Sequence, residues 1–189
     1  MVCTANVCRS PVAAGLLGAE FRRLGEPGSV GSAGVKAVSM ATPHALVSYL
    51  GKRGIDISGH RPTQLTLERV MSADLIVAMG RSHVREVAVI APSTFAKTFT
   101  LKDLVRRAEL FGERRSGEEP SDFLARLSLE RSLTDVMGNN PDDDVSDPIG
   151  RHKRELRRTA KELEELVARL AGAIVARPRA RSSGSGLSA

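Results

Sequence analysis

Apolar positions along the chain recur first at helical spacing, then at strand spacing, and the two alternate. Over residues 11–24, Ala13, Leu16, Leu17, Phe21 and Leu24 share one helical face before Gly25 stops the run. Ser10 can cap this helix, and Pro11 suits its first position. Gly28 to Gly34 reads as a short strand running into a glycine turn, and Pro43 to Arg53 as a second helix ended by Gly54. Ile55 to Pro62 is a loop ahead of a short helix at 66–71. The apolar run from Ala73 to Met79, bounded by polar residues, has the pattern of a strand buried on both faces of a parallel sheet. Ser82 can cap a helix over 83–90, Pro92 follows it, and Lys97 to Leu101 reads as the next strand. This alternation predicts an α/β fold with a parallel sheet.

Residues 106–146 break the rhythm. They contain one short helix, from Ser121 to about Leu133, between the polar turn segments Gly117–Pro120 and Gly138–Asp144, and read as an excursion over the functional face. From Arg151 to Val175 a long amphipathic helix carries Leu156, Ala160, Leu163, Leu166, Leu170 and Ile174 on one stripe. Residues 177–189, rich in Arg, Ser and Gly after Pro178, read as a disordered tail.

A length of 189 residues suits one domain, here assigned to 1–176. No apolar run approaches the roughly 18 residues that span a bilayer, and the start lacks a signal pattern, so a cytoplasmic protein without membrane insertion is expected. The formal charge of +6 does not point to nucleic acid. Arg177, Arg179 and Arg181 supply three of the six charges, leaving +3 for residues 1–176, and an aromatic content of 3% leaves little for base stacking. The two cysteines, Cys3 and Cys8, share one short segment and cannot form a bracing disulfide framework. His44, His60, His83 and His152 show no paired ligand spacing, so no metal and no cofactor are implied.

The chemistry concentrates in Cys3-Thr4-Ala5-Asn6-Val7-Cys8-Arg9-Ser10-Pro11. A thiol, five residues and an arginine directly before a helix suit a tetrahedral oxyanion. Backbone N–H groups and the helix N-terminus point at the anion, and the planar fork of Arg9 takes two of its oxygens. The same positive field favours Cys3 as a thiolate nucleophile. A thiolate attacking a phosphate monoester needs an acid to protonate the departing oxygen. Asp147, fixed by Pro148, is the candidate; alternatively it caps a helix starting near Ile149 or Gly150.

With the loop at the N-terminus and Asp147-Pro148 near the C-terminus, the chain resembles the low-molecular-weight protein tyrosine phosphatases to about residue 176. The resemblance implies a three-layer fold with a four-stranded parallel sheet of order 2-1-3-4. It also implies hydrolysis of phosphotyrosine in a protein substrate through a phosphocysteine intermediate. Cys3 then looks like the nucleophile, Arg9 the phosphate clamp, Ser10 the hydroxyl that stabilises the thiolate and Asp147 the general acid and base. Residues Thr4, Ala5, Asn6, Val7, Cys8, Arg9 and Ser10 form the phosphate-binding loop. Asn6, Ser10, Ser32 and His60 resemble the network that holds it in shape.

Several positions depart from the family pattern. Ala5 stands where most members have glycine, which requires a negative φ there. Ile149 replaces an aromatic residue after Asp-Pro, so the apolar walls around a phenyl ring are thin, with Phe111 or Phe123 as candidate substitutes. Val7 favours an aryl phosphate, because related protein arginine phosphatases carry threonine there. The alternative activity is arsenate reduction with an external low-mass thiol, since no cysteine follows Cys8; Cys8 itself is either an oxidation guard for Cys3 or a small buried thiol. Only Met1 and Val2 precede Cys3, so the first strand is expected to be largely missing. Omitting three or four buried apolar side chains forfeits roughly 5–10 kcal/mol of a domain's ~5–15, which predicts an unstable or weakly active, even non-catalytic, oxyanion-binding chain.

Overall fold

The computed structural model describes residues 1–175. Strand β1 (Val2–Cys3) pairs in parallel with β2 (Ala33–Gly34) on one side and β3 (Ile76–Ala78) on the other, and β3 pairs with β4 (Thr98–Thr100). The order is β2-β1-β3-β4, as the family resemblance implied. Although β1 is two residues long, it holds the centre of the sheet. Val2 sits opposite both Ala33 and Ala78, and its carbonyl accepts from Met79 N at 2.8 Å.

The side chains of neighbouring strand residues point to opposite faces, as a pleated strand requires. Val2, Ala33 and Ile76 join Leu65, Val70, Val87 and Ala91 in one core. Cys3, Val77 and Phe99 belong to a larger core on the other face. The first face is covered by α3 (Leu67–Ser72) and α4 (Arg81–Ile90). The second is covered by α1 (Arg9–Leu24), α2 (His44–Gly51), α5 (Leu101–Phe111), α6 (Pro120–Leu127) and α7 (Lys153–Ile174). Helix α7 packs against α1, α2 and α5 with Leu156, Ala160, Leu163, Val167 and Leu170 buried. No helix among the described residues is long and apolar enough to cross a membrane.

Four local expectations are corrected. Helix α1 starts at Arg9 with Cys8 as its N-cap, so Ser10 lies inside the first turn and its hydroxyl is free for other work. Ser82 does not cap α4; the Asp144 carboxylate does, accepting from Arg81 N at 2.7 Å. The fourth strand stops at Thr100, whose hydroxyl caps α5 by accepting from Asp103 N at 3.1 Å. Buried Leu101, Leu104, Val105 and Ala108 form a helical stripe, so residues 101–111 belong to the packed core rather than to an excursion.

The helix expected to run to Leu133 ends at Leu127, and Glu130 takes a left-handed conformation at φ 62° in the turn that follows. Residues 112–131 pack at the end of the sheet away from the loop that contains Cys8. Arg114 N bonds the Ala173 carbonyl near the end of α7, at 2.8 Å. The tail expected over 177–189 lies outside the described residues.

Candidate active site

The loop from Thr4 to Cys8 leaves the C-terminal end of the central strand and enters α1. This is where ligands of open parallel sheets bind, with the helix N-terminus supplying positive potential. Its turn is made at Asn6, which takes φ 54°, a region that asparagine tolerates better than most residues. Ala5 stays out of the positive-φ region, so the departure from glycine there carries no backbone strain.

Asn6 is fully buried, and its side-chain polar atoms are all engaged. Nδ2 donates to Ser10 Oγ at 2.8 Å and to Ser32 Oγ at 2.9 Å, while Oδ1 accepts from Thr63 N at 2.8 Å. The Asn6 carbonyl accepts from His60 Nε2 at 2.7 Å. The four residues expected to support the loop are therefore joined through one asparagine. Ser10 Oγ lies 2.9 Å from Cys3 Sγ; because it accepts from Asn6, its own hydrogen is free to point at the sulfur.

Gly34 is the other determinant of loop shape. A Cβ there would stand 2.6 Å from the Thr4 carbonyl oxygen and 3.0 Å from Asn6 N, so the close approach of β2 to the loop requires glycine. The segment after β2 binds the loop's far side, Lys36 N donating to Thr4 O at 2.9 Å and Val38 N to Ala5 O at 3.3 Å.

Arg9 and Asp147, 138 residues apart, meet at 2.6 Å. The guanidinium is nearly buried. Its NH1 donates to the Val145 carbonyl at 3.2 Å and its NH2 also reaches Thr4 Oγ1 at 3.3 Å, while Nε has no partner. Asp147 is partly exposed and lies outside α7, whose N-cap is His152. Its second oxygen closes a turn by accepting from Ile149 N at 3.1 Å, so the carboxylate caps no long helix.

The segment that carries Asp147 is pinned from below, and the residues that pin it escaped sequence reasoning. Val145 N donates to Met79 O at 2.9 Å, extending from the end of β3. Asp143 is buried between Arg81 at 2.6 Å and Arg106 at 2.8 Å. Burial disfavours its charge, but hydrogen bonds from Arg106 and Arg81 outweigh that and hold its carboxyl below the usual range. Arg85 NH1 donates to the Val136 and Gly138 carbonyls. The run Asp142-Asp143-Asp144 carries the only signal of this in the sequence, where it reads as a polar turn.

Cys8 differs from Cys3 in surroundings. Its side chain is buried, and burial, with Asp147 and Cys3 adding to it, pushes the thiol up to about 12. Cys8 is thus a protonated, small buried thiol at neutral pH. Val7 has no exposed surface and packs in the core under the loop, its carbonyl accepting from Thr42 Oγ1 at 2.9 Å. Phe123 is buried in the core and Phe111 packs against it at the far end, so neither forms a wall of the site. The apolar side chains exposed on the segment bound to the loop are Val38 and Met40.

Residues 1–113 match the family model described as low molecular weight phosphotyrosine protein phosphatase. The chain is 44% identical over 107 residues to the probable low molecular weight protein-tyrosine-phosphatase EpsP of Ralstonia solanacearum, covering 55% of this chain and 70% of that one. It is 34% identical over 173 residues to a protein-arginine-phosphatase of Geobacillus stearothermophilus, covering 90% of both. Among solved structures, the low molecular weight protein tyrosine phosphatase of T. tengcongensis superimposes with a TM-score of 0.66 at 32% identity, over 90% of this chain and 95% of that one. A loop of thiol, five residues and arginine on the central strand of a 2-1-3-4 sheet thus meets agreement in sequence and in fold, and the chain belongs to the low molecular weight phosphotyrosine protein phosphatase family.

Proposed function

We propose that the chain hydrolyses phosphomonoesters through a phosphocysteine intermediate, with Cys3 as nucleophile, Arg9 as phosphate clamp and Asp147 as general acid and then base. The observation that carries this is the 2.6 Å approach of Asp147 to Arg9, beside the loop that begins at Cys3. Nucleophile and clamp share one loop, and the acid reaches them from a segment 138 residues beyond Arg9. In the first step Cys3 Sγ forms a bond to phosphorus as the ester oxygen departs with the Asp147 proton. In the second, Asp147 takes a proton from water, whose oxygen attacks phosphorus and releases the thiolate and inorganic phosphate. The Ser10 hydroxyl, turned to Sγ by Asn6, stabilises the thiolate as it forms and as it leaves.

The substrate proposed is phosphotyrosine in a protein, supported by the family description; Val7, buried in the core under the loop, does not bear on the choice. Phosphoarginine is the second reading, favoured by the arginine-phosphatase relative that covers 90% of the chain. Turnover of para-nitrophenyl phosphate that is abolished by Cys3→Ser and lowered ~10²–10⁴-fold by Asp147→Asn supports the mechanism. Activity that survives Cys3→Ser overturns it. Parallel assays with phosphotyrosine and phosphoarginine peptides and with arsenate plus a low-mass thiol decide the substrate. Arsenite production above phosphatase turnover would favour the reductase alternative, and phosphate binding without turnover a non-catalytic one.

A further inference from the structure

Among the described residues, the buried side-chain polar atoms without a hydrogen-bond partner are Arg9 Nε and His83 Nδ1. Both flank the loop. Arg9 Nε lies on the guanidinium that faces the anion site, so an incoming oxyanion accounts for it. His83 has no role in the reaction as written, yet it is buried near the start of α4 with Nε2 2.9 Å from Thr4 Oγ1.

The direction of that hydrogen bond follows from its neighbours. Arg9 NH2 can only donate, and it reaches Thr4 Oγ1 at 3.3 Å. The Thr4 oxygen therefore accepts from Arg9, and its single hydrogen is available to His83 Nε2. The Gly80 carbonyl beside Nδ1 can only accept, so Nδ1 carries the ring hydrogen, at a geometry too poor to satisfy it, and Nε2 is the unprotonated nitrogen that takes the Thr4 hydrogen. Burial first, and then the Arg9 charge, lower the imidazole to about 4, so the ring is neutral at physiological pH and can accept. The result is a directed chain, Arg9 to Thr4 to His83, on the guanidinium edge that also meets Asp147.

Resting on the phosphatase reading above, we propose that His83 is a positioning residue for the oxyanion clamp: as a neutral acceptor it turns the Thr4 hydroxyl so that its lone pair holds Arg9 in the orientation that meets the anion. A side chain kept for packing alone would not leave a buried nitrogen poorly satisfied, an arrangement that costs stability.

The test compares wild type with His83→Leu, His83→Gln, Thr4→Val and the Thr4→Val/His83→Leu double variant. The readouts are competitive inhibition of para-nitrophenyl phosphate hydrolysis by inorganic phosphate and the melting temperature. Removing one hydrogen bond of about 0.5–1.5 kcal/mol weakens phosphate binding about two- to tenfold in His83→Leu. Thr4→Val is expected to do the same, the double variant no more than either single one, and His83→Gln to restore most of the affinity through its carbonyl oxygen. The melting temperature of His83→Leu does not fall.

Unchanged phosphate affinity in His83→Leu overturns the inference while leaving the phosphatase reading intact. So do multiplicative effects in the double variant, or a loss of affinity that tracks a lower melting temperature and is not rescued by glutamine. A wild-type protein that neither hydrolyses the ester nor binds phosphate overturns the reading and the inference together.

Discussion

Gly34→Ala tests whether the packing of β2 against the loop sets the geometry of the anion site. The added Cβ would lie 2.6 Å from the Thr4 carbonyl oxygen and 3.0 Å from both Asn6 N and Asn6 Cβ. Two of these atoms are backbone and the third belongs to the fully buried Asn6, so no flexible chain end can swing away. Nor can Gly34 retreat, because its N–H donates to Thr63 O at 2.8 Å and its carbonyl accepts from Leu65 N at 2.8 Å. The loop has to move by about half an ångström to regain ordinary contact. Overpacking of this kind costs about 1–3 kcal/mol, which for a domain of this size lowers the melting temperature by roughly 2–12 °C. The catalytic effect is larger, because misplacing reacting groups by ~1 Å costs on the order of 10²-fold, and Thr4 and Asn6 bracket the part of the loop next to Cys3. We expect kcat/KM for para-nitrophenyl phosphate to fall ten- to a hundredfold, again on the order set by loss of positioning. Gly31→Ala is the control, since nothing lies within 4 Å of a Cβ there. A Gly34→Ala protein that melts and turns over like wild type would refute the reasoning.

Other outcomes follow from the groups around the site. Asp143→Ala leaves Arg81 and Arg106 facing an emptied pocket; with Arg106 half exposed, the loss is about 2–4 kcal/mol, read as a fall in the urea midpoint, and an unchanged midpoint contradicts it. Because Cys8 is held as a thiol up to about 12, iodoacetamide at pH 8 leaves its peptide unmodified in the native protein by mass spectrometry. Labelling of Cys8 at the rate of a free thiol would refute this. His83 is lowered from 6.5 to about 4, so the unfolded chain binds its proton first. The stability from keeping the ring neutral is present above pH 6.5 and drains as pH falls towards 4, by about 3 kcal/mol in all. Urea titrations from pH 7 to 4 should show wild type losing more stability than His83→Gln, and parallel curves would contradict it.

The local reading failed at the excursion and at the caps, for a shared reason. Leu101, Leu104, Val105 and Ala108 lie at helical spacing but are interleaved with Lys102, Asp103, Arg106, Arg107 and Glu109, and Leu101 also continues a β-prone run. Only the packing of α5 on α7 resolves that ambiguity. By sequence the caps of α1 and α4 fall to the nearest hydroxyls, Ser10 and Ser82. In the fold Ser10 is drawn to Cys3 and Asn6, and α4 is capped by an aspartate 63 positions away. A capping group is chosen by proximity in space, and propensity at the boundary is too weak to override it.

What could be read from residue order alone was the thiol, the arginine six positions beyond it, the helix behind them and the alternation of strand and helix. These are local patterns whose physics is complete within about a dozen residues. Residue order could nominate Asp147 but could not bring it to Arg9. That meeting is fixed by Val145 hydrogen-bonded to Met79 and by Asp143 held between Arg81 and Arg106, contacts that span 37 to 66 positions. The same holds for His83, a lone histidine in sequence and a partner of Thr4 only because β1 and β3 lie side by side. Side-chain hydrogen bonds and buried ion pairs act over a few ångströms, so the chemistry they organise comes into being only when the parallel sheet has brought its strand ends together.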